Sequence, residues 1–359
     1  MTVTLRRGVL LCIVGAVACG ARSDLRFEGG DGVHASTSSA ATGGAPPCAD
    51  MTFAGDRSGA VGLALDATHA YWVTPDGNLE RGALASGASE VVGHFESSEP
   101  LVLDLSDSHV YVGVTDRLIR VPKTGGPSEI VASGHFAPYD IEVDGDAIWL
   151  FDASGSVYRW RAADGLVSLV NGLTVPGFIA VDAADVYVAA FLAMINNTLV
   201  MGALLRIAKD GGAPDVLASR FSYPFGVRVD ASHVYWGTRP DGSTDFEQRL
   251  WSRSKSGGAP TQLATVPLHR AVAFVIDDAF AYVTVGDHGD LAPYGGLFRV
   301  PLAGGIAEPI YERQGVHFAE AAVSATSFAV AVYPPAEDPT AQVNNVEVFC
   351  KRLHPGNAQ

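Results

Sequence analysis

An aspartate that closes one apolar run and an aromatic residue that opens the next, five positions later, recur along this chain and constrain its fold more than any other feature. Asp66 precedes Tyr71, Asp144 precedes Trp149, Asp182 precedes Tyr187, Asp230 precedes Tyr235 and Asp277 precedes Tyr282. Ser106 before Tyr111 is a further copy, and Ser324 before Ala329 is a worn one. Positions 71, 111, 149, 187, 235, 282 and 329 are separated by 40, 38, 38, 48, 47 and 47 residues, the period of a four-stranded unit repeated seven times.

Around each copy the apolar residues alternate or form short β-rich blocks, as in Val227, Val229, Val234, Tyr235 and Trp236, and turn residues interrupt them at strand spacing. A second half-motif follows: Leu118 to Lys123 then Gly125-Gly126, Leu204 to Lys209 then Gly211-Gly212, and Leu297 to Pro301 then Gly304-Gly305. This reads as a third strand and its exit turn, where the glycine pair supplies the positive φ of a tight turn. The apolar run after it is a fourth strand. Such a sheet cannot bury both faces alone, so the units must stack around an axis. The expected fold is all-β, a seven-bladed β-propeller of four-stranded antiparallel blades. The last repeat lacks a fourth strand, and the segment 48–53 can supply it and close the ring.

The ends of the chain read differently. Arg6 and Arg7 precede an apolar run from Gly8 to Val17, the layout of an export signal and too short to span a bilayer. Residues 20–47 are rich in Gly, Ser, Ala and Thr and end in Pro46-Pro47, a flexible tether. The expected division is signal peptide 1–18, tether 19–47, propeller 48–353 and tail 354–359. Of four cysteines, Cys12 lies in the leader, while Cys48 and Cys350 mark the two ends of the propeller. Ring closure would make Cys48 and Cys350 cross-strand neighbours, and export permits a disulfide there; two unrelated buried thiols are the alternative.

Three resemblances rest on quoted residues. Ala16-Val17-Ala18-Cys19 resembles a bacterial lipobox, with Ala16 where such motifs usually have Leu. The resemblance implies that Cys19 is acylated and anchors the protein to a membrane of the cell envelope, the alternative being a freely secreted protein. Ala70-Tyr71-Trp72-Val73-Thr74 and Val234-Tyr235-Trp236-Gly237-Thr238 resemble the YWTD repeats of low-density lipoprotein receptor propellers. Pro138-Tyr139-Asp140-Ile141 and Pro224-Phe225-Gly226-Val227 are similar to the blade starts of NHL-type propellers. The likeness is a blade signature that implies the fold and leaves the ligand open. The catalytic motif of streptogramin lyases, a propeller family with His and a divalent metal, does not match residue by residue.

Formal charge is −15, and an acidic balance without basic clusters argues against nucleic acid as a partner. No nucleophile elbow, zinc-binding helix motif, phosphate loop, dinucleotide glycine motif or C-x-x-C pair occurs, so no cofactor, metal or catalytic residue is assigned. The b–c connections are short in repeats 1 to 3 and long in repeats 4 to 7, at 190–202, 239–249, 286–296 and 334–345. These connections share one face with the d–a connections, which are rich in aromatics and histidine, and loops grown on one face of a repeat array mark a binding surface. The candidate ligand-binding residues are Tyr139, Asp140, Phe178, Tyr223, Arg228, His269, Arg270, His317 and Glu320. The expected activity is binding or scaffolding of a protein, peptide or glycan by a monomer. The alternative is a lyase or hydrolase with an acid and histidine site at the channel mouth.

Overall fold

The computed structural model describes residues 50–350 except 55–59, 61, 75, 97–101, 174–176, 196, 197, 222, 240–247, 267–269, 287–293, 315, 325, 326 and 334–344. Its strands form seven antiparallel sheets of four strands each. Blades 1 to 6 span 62–94, 102–133, 138–170, 178–219, 224–266 and 270–314. Within each blade the chain meanders through strands a, b, c and d. Blade 7 takes strands a, b and c from 317–350, and its strand d is Met51–Ala54 from the start of the chain. Met51 lies opposite Val348 and Phe53 opposite Val346, so the ring is closed by pairing the first strand with the last.

The five-residue spacing follows from hydrogen bonds at the a–b turn. Asp66 Oδ1 accepts from the amides of Thr68 and His69, both at 2.8 Å, and Asp182, Asp230 and Asp277 cap the same turn in their blades. The second carboxylate oxygen accepts from the tyrosine five residues on: Tyr187 to Asp182 at 2.9 Å, Tyr235 to Asp230 at 2.6 Å and Tyr282 to Asp277 at 2.7 Å. Ser106 and Ser324 keep a cap, accepting from the amides of His109 and Ser327 at 3.0 and 3.2 Å.

The same aspartates also join neighbouring blades. Lys123 at the end of strand c in blade 2 lies 3.0 Å from Asp66 of blade 1, and Lys255 of blade 5 lies 2.6 Å from Asp182 of blade 4. Lys209 of blade 4 pairs with Asp144 of blade 3. Each ammonium also sits over the aromatic ring of the motif, 5.5 Å from Tyr71, 5.4 Å from Tyr187 and 5.5 Å from Trp149, adding a cation–π attraction. Ser106 and Ser324 offer no carboxylate, and the blades that follow them carry Ala162 and Leu84 at the lysine position; blade 6, which follows Asp230, carries Leu302 there, so among the described residues the latch is confined to the three pairs above.

Acid should weaken this latch. Burial alone would raise the Asp66 carboxyl, but the amides of Thr68 and His69 and the Lys123 ammonium outweigh it and bring the pKa down to about 2. A depressed folded pKa contributes stability that is full above the unfolded value, near ~3.9, and lost as pH falls through the folded one. Denaturant melts at stepped pH should show wild type losing at most about 2 kcal/mol from this group between about pH 4 and 2. Asp66→Asn should remove that component of the slope; an unchanged slope would contradict the latch.

Core packing is between blades. Trp72, Trp149 and Trp236 of strand b are fully buried. Phenylalanines at the strand starts wedge into space left by glycines: a Cβ on Gly237 would lie 2.2 Å from the Phe225 ring, and one on Gly295 2.8 Å from Phe318.

Candidate functional site

Blade 4 differs from the others. The connection 190–202, expected as a grown loop, is instead a continuation of the sheet: strands b and c extend to Asp185–Ile195 and Thr198–Ala208, with pairs Leu192↔Met201, Ala193↔Val200, Met194↔Leu199 and Ile195↔Thr198. The physical reason is composition. The segment is apolar and rich in β-formers on both sides of Asn196-Asn197, so pairing satisfies its backbone as a loop would not. The other long connections, 239–249, 286–296 and 334–345, fall almost wholly outside the described residues.

At the base of this hairpin the d–a loop of blade 4 is pinned. Arg220 N donates to Gly202 O at 2.9 Å. Gly202 has a φ of 58°, and a Cβ there would lie 1.6 Å from Phe221 O, so only glycine fits. Arg220 and Tyr223 are themselves left-handed, with φ of 64° and 38°, an unfavourable backbone for residues with a Cβ. The result is that Tyr223 stands out at 46% exposure.

Tyr223 ends a row of rings. Tyr139 of blade 3 meets Phe178 of blade 4 edge-on at 6.3 Å, Phe178 meets Phe191 at 6.3 Å, and Phe191 meets Tyr223 edge-on at 6.3 Å. Arg239 of blade 5 lies 5.6 Å over the Tyr223 ring, and its amide donates to Tyr223 O at 3.2 Å. The structure thus brings together three of the sequence-derived candidates, Tyr139, Phe178 and Tyr223, through a residue not singled out, Phe191, and adds Arg239. Tyr139 and Phe191 are half-buried and Phe178 is buried. Chemically, this is an aromatic ledge with a guanidinium at its exposed end, suited to stacking and to holding one polar group.

The charged candidates of strand a sit deeper. Asp140 is 1% exposed and its Oδ2 accepts from the Ile179 amide of blade 4 at 2.8 Å. Asp104 does the same one blade earlier, accepting from Val143 N at 2.6 Å. Arg228 is 2% exposed, donates to Val227 O at 2.7 Å and lies 5.6 Å over the Phe274 ring. Here these groups hold innermost strands together, beneath the ledge. The aromatic d–a connections also divide: Phe136, Phe225 and Phe318 are buried between blades and pack the core. His269 lies outside the described residues. Arg270, His317 and Glu320 are placed on strand a of blades 6 and 7 by their backbone. Among the described residues no group of three His, Cys, Asp or Glu side chains is arranged to hold a metal ion.

No protein-family model matches this chain, and no curated protein matches it. Among solved structures, the WD40 β-propeller domain of Doa1 superposes with a TM-score of 0.61 at 12% identity, covering 85% of this chain and 98% of that one. The computationally designed Ika8 protein gives 0.55 at 12% identity, covering 84% and 98%. A chain in the S. cerevisiae Dbp5–Nup159–Gle1 complex with IP6 and ADP gives 0.53 at 11% identity, covering 84% and 94%. At such identities the likeness concerns the fold: this chain is a seven-bladed β-propeller.

Proposed function

We propose that this chain is an exported, envelope-tethered binding module whose propeller head engages a protein, peptide or glycan ligand on the face carrying the blade 4 hairpin. β-Propellers commonly serve as protein-binding scaffolds, and the observation that carries the reading here is Tyr223. It is held exposed by a loop with two left-handed residues, at the end of a four-ring row and under a guanidinium. Strain of this kind concentrates at functional sites, and exposed tyrosine beside arginine is the composition of binding hot spots. The ligand's flat or apolar group stacks on Tyr223 and its polar end meets Arg239, while Asp140 and Arg228 keep the underlying strands fixed.

The remaining parts of the proposal rest on sequence. Arg6, Arg7 and the apolar run after them direct export, Cys19 carries the lipid anchor, and residues 20–47 let a monomeric head stand off the membrane. The repeats are of the YWTD or NHL-like type. Cys19 and Cys48 lie outside the described residues. The proposed Cys48–Cys350 disulfide draws support from the antiparallel pairing of Met51–Ala54 with Asn345–Cys350, which puts Met51 and Cys350 at the same end of the sheet. The experiment that tests the binding reading is capture on the immobilised full chain from cell envelope and culture medium, with mass spectrometry of both proteins and small molecules. A partner retained by wild type and lost from Tyr223→Ala supports it. Retention of the same partners by both, or turnover of a small molecule without a retained partner, contradicts it.

A further inference from the structure

Blades 3 and 4 are joined by a connection that carries the only Asn-Gly step of the chain, Asn171-Gly172, between strand d, Gly165–Val170, and strand a, Phe178–Val181. Both residues of the step are exposed. Gly172 is left-handed, with a φ of 83°, and a Cβ added there would meet nothing within 4 Å, so its conformation calls for glycine and the space beside it is open. Among the described residues its amide donates no backbone hydrogen bond. The side-chain carbonyl before it is engaged: Ser168 Oγ donates to Asn171 Oδ1 at 2.9 Å.

These features are those of an intramolecular acyl transfer. The backbone nitrogen after an asparagine can attack the asparagine's own side-chain carbonyl, and a following glycine, having no Cβ, leaves that approach uncrowded. Ser168 aims a donor at the oxygen that becomes negative as the carbonyl is attacked, the arrangement that lowers the barrier to carbonyl addition. Other steps from an acidic side chain to glycine lack this combination. In Asp76-Gly77 the Gly77 amide donates to Thr74 O at 2.8 Å, and in Asp210-Gly211 the Gly211 amide donates to Ala208 O at 2.9 Å. A carboxylate is also a poorer electrophile than a carboxamide.

We propose that Asn171 is a self-modifying site, converted to aspartate and isoaspartate by the Gly172 amide with water as the co-reactant. The Gly172 nitrogen gives its proton to solvent and bonds to Asn171 Cγ; the bond from Cγ to the side-chain nitrogen breaks, ammonia leaves and a succinimide closes. Water then adds to either ring carbonyl and opens it, giving aspartate, or isoaspartate with the main chain running through Cγ. No atom changes oxidation state. The product places a new carboxylate on the face that carries the d–a connections. Isoaspartate also lengthens the backbone just before Leu173, which is 4% exposed and whose amide donates to Gly155 O at 2.9 Å. A Cβ on Gly155 would come within 1.4 Å of Leu173 O, a close fit that the added backbone atom displaces. This inference stands apart from the binding reading above.

The test keeps the full chain folded in mildly alkaline buffer, which favours loss of the amide proton, and follows position 171 by peptide mass mapping and by enzymatic methyl labelling of isoaspartate. Asn171 is expected to convert ahead of every other asparagine. Ser168→Ala, at an exposed position of the outer strand, should melt as wild type but convert about tenfold more slowly, the worth of one hydrogen bond to a developing charge. Ser168→Thr, which keeps the hydroxyl, should convert at the wild-type rate. The acidic form, separated by ion exchange, should melt a few degrees below the unmodified chain. Asn171 left intact after prolonged incubation, conversion in Ser168→Ala as fast as in wild type or faster, or equal melting of the two separated forms overturns the proposal.

Discussion

Phe53→Ala is expected to destabilise the head by about 3–5 kcal/mol, the usual cost of deleting a buried aromatic ring. Phe53 is 1% exposed on the four-residue strand that closes blade 7. Its ring lies 5.5 Å from that of Trp72 in blade 1, and it occupies the space over Gly82, where an added Cβ would come within 2.6 Å of it. Truncation opens a cavity at the junction where the first and last described strands pair, and glycine at 82 leaves nothing to refill it. Calorimetry should show a melting temperature lower by about 10 °C, at roughly 2–4 °C per kcal/mol for a chain of this size. The shift should be the same with and without reductant. A loss below about 1 kcal/mol would mean that the first strand is not part of the folded ring.

Cys48→Ser should cost a similar amount, about 2–5 kcal/mol, but only under oxidising conditions. The disulfide proposed between Cys48 and Cys350 would tie the closing strand to its partner, so reductant should bring wild type down to the variant and leave the variant unchanged. The two substitutions therefore separate packing from cross-linking at the same junction. Alkylation of both cysteines in the natively exported protein without prior reduction would contradict the bridge.

The ring was legible in the sequence because the Asp-to-aromatic spacing reflects a local bond, from a tyrosine hydroxyl to a carboxylate five residues back. The blade latches were not, because their partners are far apart in the chain: Lys209 and Asp144 differ by 65 positions and Lys255 and Asp182 by 73. That Ala162 stands at the lysine position in the blade next to Ser106 can be seen only once blades 2 and 3 are adjacent. The hairpin could have been read. Asn196-Asn197 between two apolar runs is a two-residue turn signal, but the length of the interval suggested a loop.

The candidate site was half legible. Tyr139, Phe178 and Tyr223 were found because aromatics in d–a connections and at strand starts stand out. The same criterion also collected Phe136, Phe225 and Phe318, which are core wedges. For Phe225 and Phe318 the wedge is received by a glycine on a facing strand, Gly237 and Gly295, and that is a tertiary property. Phe191 was passed over because strand b residues are mostly core, and the contacts of Asp140 and Arg228 with neighbouring strands and rings are tertiary and leave no local signature.

The central claim is that ligand recognition lies on the hairpin face, at Tyr223 and Arg239, and not on the face of the a–b turns. The most direct test is the affinity of the captured partner for three variants of the full chain. Tyr223→Ala and Arg239→Ala should each weaken binding by about 2 kcal/mol, roughly thirtyfold, while His109→Ala, at an a–b turn on the opposite face beside Ser108, should bind as wild type. Full affinity in the first two with loss in the third would place recognition on the other face and contradict the account.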